Sequence, residues 1–318
     1  MERFKNILVA TSPGRLDPPT LRAAVDLAKI NNARLTVVDV VAPMAAWRRK
    51  MNVEGRVVDI EAAILHDREE RLRHLLGSTR DGPDVEVVET VGEPFIEVIH
   101  RVLDHAHDLV VVGEPVAERP DEPHLSSGVM RLLRKCPVPV WVMRSGRSGA
   151  GRVLALVDPE EDDPVSDGLN DLVIELAASI SRRRGWELHL GHAWSLAGEA
   201  TLRSSPYVSL PGSMVDVMVR DTKAMRRGEL DALANRHVTE SERSIHMVAG
   251  ESGVALPRLA DRLDVDLIVM GTVGRTGLVG LVIGNTAETV LRSVRCSVLA
   301  VKPEGFVTPV KQQHSQEP

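Results

Sequence analysis

The chain has 318 residues, and at roughly 150 residues per domain that length favours two domains over one. Apolar residues make up 43% of it, which excludes a disordered chain. A net charge of −6, from 39 basic and 45 acidic residues, and an aromatic set of only 4 Trp, 1 Tyr and 3 Phe, argue against nucleic-acid binding by bulk charge or base stacking. The longest apolar runs, such as Leu109–Gly113 and Leu267–Gly271, are strand-length, so no membrane insertion is expected. Met1–Lys5 leads straight into an aliphatic run without a leader pattern, and two cysteines make no disulfide framework; a cytoplasmic protein is the expectation.

In chain order the signals alternate between strand and helix. Lys5–Thr11 is a short aliphatic run. Pro19–Ile30 carries Leu21, Ala24, Val25, Leu27 and Ala28 on one helical face, entered through Pro18-Pro19. Arg34–Val41 is again aliphatic, and Glu61–Leu76 reads as a charged surface helix. Val85–Glu89 reads as a strand, Pro94–His105 as a helix, Leu109–Gly113 as a fully buried strand, Gly128–Lys135 as a short helix and Val138–Met143 as a last strand. Strands joined by helix-length connections imply a parallel sheet covered on both faces.

Ser145–Gly151 has no core-forming residue and is a linker by composition. After it the order starts again: strand at Arg152–Val157, helix at Leu169–Arg183, strand at Glu187–Trp194, a long helix within Ser213–His237, strand at Ser244–Val248, helix at Gly253–Leu263, strand at Leu267–Gly271, helix at Asn285–Ser293 and strand at Ser297–Lys302. Gly92–Gly113 aligns with Gly250–Gly271 at one constant offset without a gap, and Cys136 and Cys296 each open a final strand. This is one α/β unit duplicated: a domain over 1–144, a linker over 145–151, a second domain over 152–303 and a tail over 304–318.

The sharpest local feature is Gly271-Thr-Val-Gly274-Arg275-Thr276-Gly277, followed by Gly280 and by Gly284-Asn285-Thr286. The first glycine ends a buried strand, and the last precedes a helix whose N-cap is expected at Asn285 or Thr286. Such a loop offers free N–H groups and a positive helix terminus to an anion. By composition alone a phosphate cradle and a bare glycine-rich turn both fit.

The spacing G-x2-G-x9-G at Gly271, Gly274 and Gly284 resembles the nucleotide loop of the universal stress protein superfamily, with Asn285 where Ser or Thr is commoner. Lys5–Thr11 is similar to the family's first strand. Leu132–Pro137, Lys302-Pro303 and Thr308–Val310 are similar to its tandem-domain E type. The resemblance implies two tandem doubly wound, Rossmann-like α/β domains. Each would have a five-stranded parallel sheet in order 3-2-1-4-5, and the last strands would meet as an intramolecular pseudo-dimer.

It also implies ATP, with Mg2+, in the second domain. Asp158 then stands at the adenine side, Ala193 and Trp194 at the adenine edge through their backbone, and Met270 and Gly271 at the ribose. Gly274, Arg275, Gly284, Asn285 and Thr286 form the phosphate loop. The first domain departs from this pattern. Ser12 stands where Asp158 stands in the second, and Glu114–Pro123 sets acids and prolines where phosphate would need N–H donors.

Other features have simpler readings. Cys136 and Cys296 read as packing residues, and the paired histidines His105/His107 and His189/His192 as structural or surface groups, since no zinc spacing is present. Glu160–Asp163 reads as a solvated acidic loop, with cation binding the alternative, and Trp47–Lys50 as a solvated loop, with a lid or interaction loop the alternative. Met214, Met218 and Met225 read as core of the long helix, with an apolar groove for a ligand or protein partner as the alternative. Gln312–Pro318 reads as a polar tail. No nucleophile–base pair, G-x-S-x-G elbow or H-E-x-x-H motif is present. A nucleotide-binding regulatory module, open to homo-oligomer formation, therefore fits better than a dedicated enzyme, and a slow ATPase would lack an identifiable base.

Overall fold

A computed structural model describes residues 3–11, 17–45, 49–53, 56–77, 84–114, 125–144, 149–159, 164–205, 207, 210–272 and 283–311. The chain divides into two compact units, the first built on residues 3–144 with 307–311, the second on 149–272 with 283–306.

The first unit contains β1 (Asn6–Ala10), β2 (Arg34–Val41), β3 (Lys50–Val53), β4 (Arg56–Asp59), β5 (Val85–Val91), β6 (Leu109–Glu114) and β7 (Val140–Arg144). Its main sheet runs β5-β2-β1-β6-β7 and every pairing is parallel. The second unit contains β8 (Arg152–Leu156), β9 (Glu187–Trp194), β10 (Arg243–Ala249), β11 (Leu267–Gly271) and β12 (Ser297–Val301), in order β10-β9-β8-β11-β12, again all parallel. Counting main strands along each half, both sheets have the order 3-2-1-4-5. The sequence says why: Ile7–Ala10 of β1 and Leu109–Gly113 of β6 carry no polar side chain on either face and are buried, as parallel strands between two helical layers must be.

The duplication extends to side-chain devices. Asp108 in the first unit accepts the main-chain amides of Lys5 and Asn6, at 2.5 and 3.1 Å, and so fixes the start of β1. Asp266 does the same for Gly151 and Arg152 at 2.7 and 2.9 Å. The glycines Gly113 and Gly271 close the fourth strands for one shared reason. A Cβ on Gly113 would lie 2.6 Å from Thr20 Oγ1, and one on Gly271 would lie 2.5 Å from Leu169 Cδ2. In each unit the first helix passes over this strand end too closely for any side chain. Cys136 and Cys296 are both buried, as their packing role requires.

Several sequence expectations are corrected. The stretch entered by Trp47–Lys50 is not simply a solvated loop: Lys50–Val53 and Arg56–Asp59 pair antiparallel, Lys50 opposite Asp59. The hairpin rests on cross-strand pairing and leaves Met51 and Val57 exposed, so it has no buried face for a pattern to report. Trp47 itself lies outside the described residues. The second unit's first helix starts at Pro164, before Leu169, and a short helix at Glu199–Ser204 carries no apolar period.

The methionine stripe is not core. The long helix Gly212–Asn235 buries Val215, Leu230, Leu233 and Ala234, whereas Met214 and Met225 are 50% and 53% exposed and Val217 is exposed as well. At 100° per residue Met214 and Met225 lie about a third of a turn round from the Val215–Leu230 face, so helical spacing set these methionines on a face the fold leaves open, apart from the buried Val215 and Leu230.

Candidate functional site

In a doubly wound sheet the crevice lies beyond the carboxyl ends of the strands where the order reverses. In the second unit that place is framed by the ends of β8, β9 and β11 and by the helix Asn285–Ser293. Asp158, two residues past β8, carries a carboxyl group that is 48% exposed. Its backbone is held from below: Asp158 N–H donates to Asn170 Oδ1 at 3.0 Å, and Asn170 Nδ2 donates to the Asp158 carbonyl at 3.0 Å. His192, buried on β9, makes a 3.1 Å hydrogen bond from Nδ1 to the Val157 carbonyl, with the same nitrogen 3.6 Å from Asp158 Oδ1.

Ala193 and Trp194 end β9 beside Val248 and Ala249, and the Trp194 carbonyl accepts Gly250 N–H at 3.0 Å. By strand alternation Trp194 shares a face with His192. It is nine-tenths buried, and its indole N–H finds no acceptor among the described residues. Met270 is buried at the end of β11, next to Gly271.

Gly274 and Arg275 lie outside the described residues, as do Glu160–Asp163, Gln312–Pro318 and Ser12. The two ends of the glycine loop are nonetheless tied. Thr272, fully buried, donates its amide and its hydroxyl to the Val301 carbonyl at 3.0 and 3.2 Å, and Gly284 N–H donates to the Thr272 carbonyl at 3.0 Å. The N-cap is Gly284, not Asn285 or Thr286: its carbonyl accepts Glu288 N–H at 2.9 Å, and the bond from Gly284 N–H to Thr272 sets the helix start one residue early. Asn285 and Thr286 therefore form the first turn, with exposed side chains. A glycine cap contributes no side-chain acceptor, so it leaves the amides and positive dipole end of this nine-residue helix to an outside anion.

The first unit fills the corresponding places with its own groups. Glu114, the residue after Gly113, is buried and accepts a hydrogen bond from Ser126 Oγ, while Ser126 in turn caps the helix Ser127–Lys135 by accepting Val129 N–H at 3.3 Å. A carboxylate thus already stands at that helix start, where the second unit has the neutral Thr272.

Toward the end of β2 the buried Asp39 accepts Arg68 Nη2 at 2.8 Å and the Thr11 hydroxyl, both on Oδ1, and Arg68 Nε lies 2.5 Å from Oδ2 as an ion-pair contact. Leu72 and Leu75 line what space is left beside Thr11, Thr20 and Gly113, a cavity of only about 20 Å³. Burial, together with the Glu69 and Asp39 charges, pushes the neighbouring Glu89 carboxyl above its usual range. By register Thr11 N–H bonds the Val38 carbonyl as Val157 N–H bonds that of Gly191, so Asp39 occupies the position of His192.

Reasoning from sequence placed Asp158, Ala193, Trp194, Met270 and Gly271 at one end of one sheet, together with Gly284, Asn285 and Thr286. It missed Asn170, an unremarkable helix residue, and gave His192 no role at the site. The position of His192 near the end of the second strand was the available signal.

The fold is a tandem pair of doubly wound α/β domains. The universal stress protein family model matches residues 3–144 and 152–302, and the chain belongs to that family. It is 28% identical to universal stress protein E of Escherichia coli K12 over 331 aligned positions covering all of both chains. The crystal structure of PA1789 from Pseudomonas aeruginosa PAO1, a protein of unknown function, covers 96% of this chain and 95% of its own at 25% identity and a TM-score of 0.68. A universal stress protein from Archaeoglobus fulgidus covers 93% of this chain and 98% of its own at 16% identity and a TM-score of 0.62, which speaks to fold alone.

Proposed function

We propose that this universal stress protein is a cytoplasmic regulatory module that binds ATP, or a related nucleotide with Mg2+, in its second domain. The observation that carries the reading is the contrast at the two equivalent helix starts. Glu114 and Ser126 satisfy the first internally, while the glycine-capped second presents its first-turn amides at the mouth of the crevice. The phosphates would lie against Gly271, Gly274, Arg275, Gly284, Asn285 and Thr286, and the base near Asp158, Ala193, Trp194 and Met270. Binding at the loop between Gly271 and Thr286 would change the surface offered to partners. The test is titration calorimetry of the full chain with ATP and magnesium. If Gly274 lets the backbone reach phosphate, Gly274→Val weakens binding at least about tenfold, roughly 1.4 kcal/mol, with an unchanged circular dichroism spectrum. Unchanged affinity in the folded variant removes the phosphate role.

A second reading has one observation in its favour. The exposed Met214, Val217 and Met225 give the second domain an adaptable apolar face, which suits a scaffold for an apolar ligand or a protein. Mass spectrometry of the purified protein under native and denaturing conditions separates the two: a released nucleotide supports the first, a released lipid the second.

A further inference from the structure

The fold sorts the chain's sulfur atoms by access. Met130, Met143 and Met270 are buried, as are both cysteines. Met214 and Met225 stand half exposed on the long helix Gly212–Asn235. They are eleven residues apart in sequence, which is three turns of helix and about 16 Å, so both thioethers lie on one stripe. Met218, four residues after Met214, is part-exposed on the same stripe, and Val217 is exposed beside it. At 100° per residue the three methionines fall within about 40° of one another. The helix is held from another side, where it buries Val215, Leu230, Leu233 and Ala234. The half-exposed thioethers therefore carry little of its packing and are open to solutes. A thioether has no proton to lose, so access governs its reaction with a peroxide.

We propose that Met214 and Met225 are a peroxide modification site, at which oxidation to methionine sulfoxide switches the open face of this helix from apolar to polar while the fold stays intact. In each step the sulfur attacks one oxygen of hydrogen peroxide. An S–O bond forms, the O–O bond breaks, and after proton transfer the second oxygen leaves as water. The sulfur loses two electrons and the peroxide gains them. The product is a polar side chain where an apolar one stood, and its reversal takes a methionine sulfoxide reductase with a thiol reductant. Because the two sites share one face, both events act on one patch. Met51 is also half exposed, but it sits on the first unit's hairpin and changes only that surface. The proposal is independent of the nucleotide reading, which assigns none of these methionines a role.

The experiment treats the full-length protein with hydrogen peroxide, samples it over time and maps the oxidised peptides by mass spectrometry. Met214 and Met225 are expected to gain one oxygen at least about tenfold faster than Met130, Met143 and Met270. Retention on a hydrophobic-interaction column is expected to fall as these sulfoxides form, and reductase treatment to restore it. Far-ultraviolet circular dichroism is expected to hold throughout. The double variant Met214→Leu, Met225→Leu keeps the face apolar without its thioethers, so peroxide is expected to leave most of its retention unchanged. Equal rates at exposed and buried methionines overturn the proposal. So does a loss of retention as large in the double variant as in the wild type, or a loss of helical dichroism on oxidation. Should the double variant not fold, the site-resolved rates and the reductase reversal in the wild type decide alone.

Discussion

Asp39 shows how one buried charge can close a crevice. Its carboxylate is fully buried, and it is tolerated because the Arg68 guanidinium pairs with it and both Arg68 Nη2 and the Thr11 hydroxyl donate hydrogen bonds to it. Removing one partner from such a pair strands the other. Arg68→Met is therefore expected to lower the unfolding free energy of the protein by about 3 kcal/mol, measured by urea denaturation. The double variant Asp39→Asn, Arg68→Met is expected to recover part of that loss, because the amide needs no counter-ion. A single variant as stable as the wild type would show that the pair adds nothing. None of this was legible from composition: Asp39 sits in a mainly aliphatic strand, and its partner lies on a helix whose sequence reads simply as a charged surface.

Strands β9 and β10 are joined by a feature that belongs to the element scale. His189 Nδ1 and His246 Nε2 are 3.0 Å apart, with Glu187 3.4 Å from the other side of the His189 ring. Burial holds both imidazoles below their ordinary range; the Glu187 carboxylate opposes this at His189, and Arg262 and the His189 ring reinforce it at His246. His107, buried against the Arg101 carbonyl and the Thr36 hydroxyl, is lowered for the same leading reason. A depressed folded value means that the unfolded chain takes up protons first as pH falls. The stability these groups contribute is thus complete above the unfolded histidine value, about 6.5, and is lost below it. Urea midpoints are expected to fall steadily from pH 7 to pH 5, with less fall in a His189→Gln, His246→Gln variant. Because β10 is the outer strand of its unit's sheet order, its amides are expected to lose hydrogen-exchange protection in acid before those of β8. An acid response equal in both strands and in the variant would dismiss the histidine pair as its source.

For the whole molecule, duplication followed by divergence predicts a stoichiometry. The two halves share sheet order, the Asp108/Asp266 ties and the Gly113/Gly271 close approaches. They differ where a ligand would sit, at Glu114 against Thr272 and at Asp39 against His192. Calorimetry is expected to return one ATP site per chain and not two. A second site of similar affinity would mean that the Glu114–Ser126 and Asp39–Arg68 contacts do not block the first crevice.

The amino-acid sequence by itself determined the strand-and-helix alternation, the duplication and the residues that end the strands. These follow from local hydrophobic period and from glycine placement, which any stretch of chain carries within itself. It also separated the two halves as candidate sites, since acids and prolines after Gly113 and glycines after Gly271 are read directly. Tertiary structure alone decided which face of the helix Gly212–Asn235 is buried, because helical spacing fixes a stripe's members but not its neighbours. It alone joined Asn170 and His192 to Asp158, for those residues lie on different elements and meet only when the sheet brings the strand ends together.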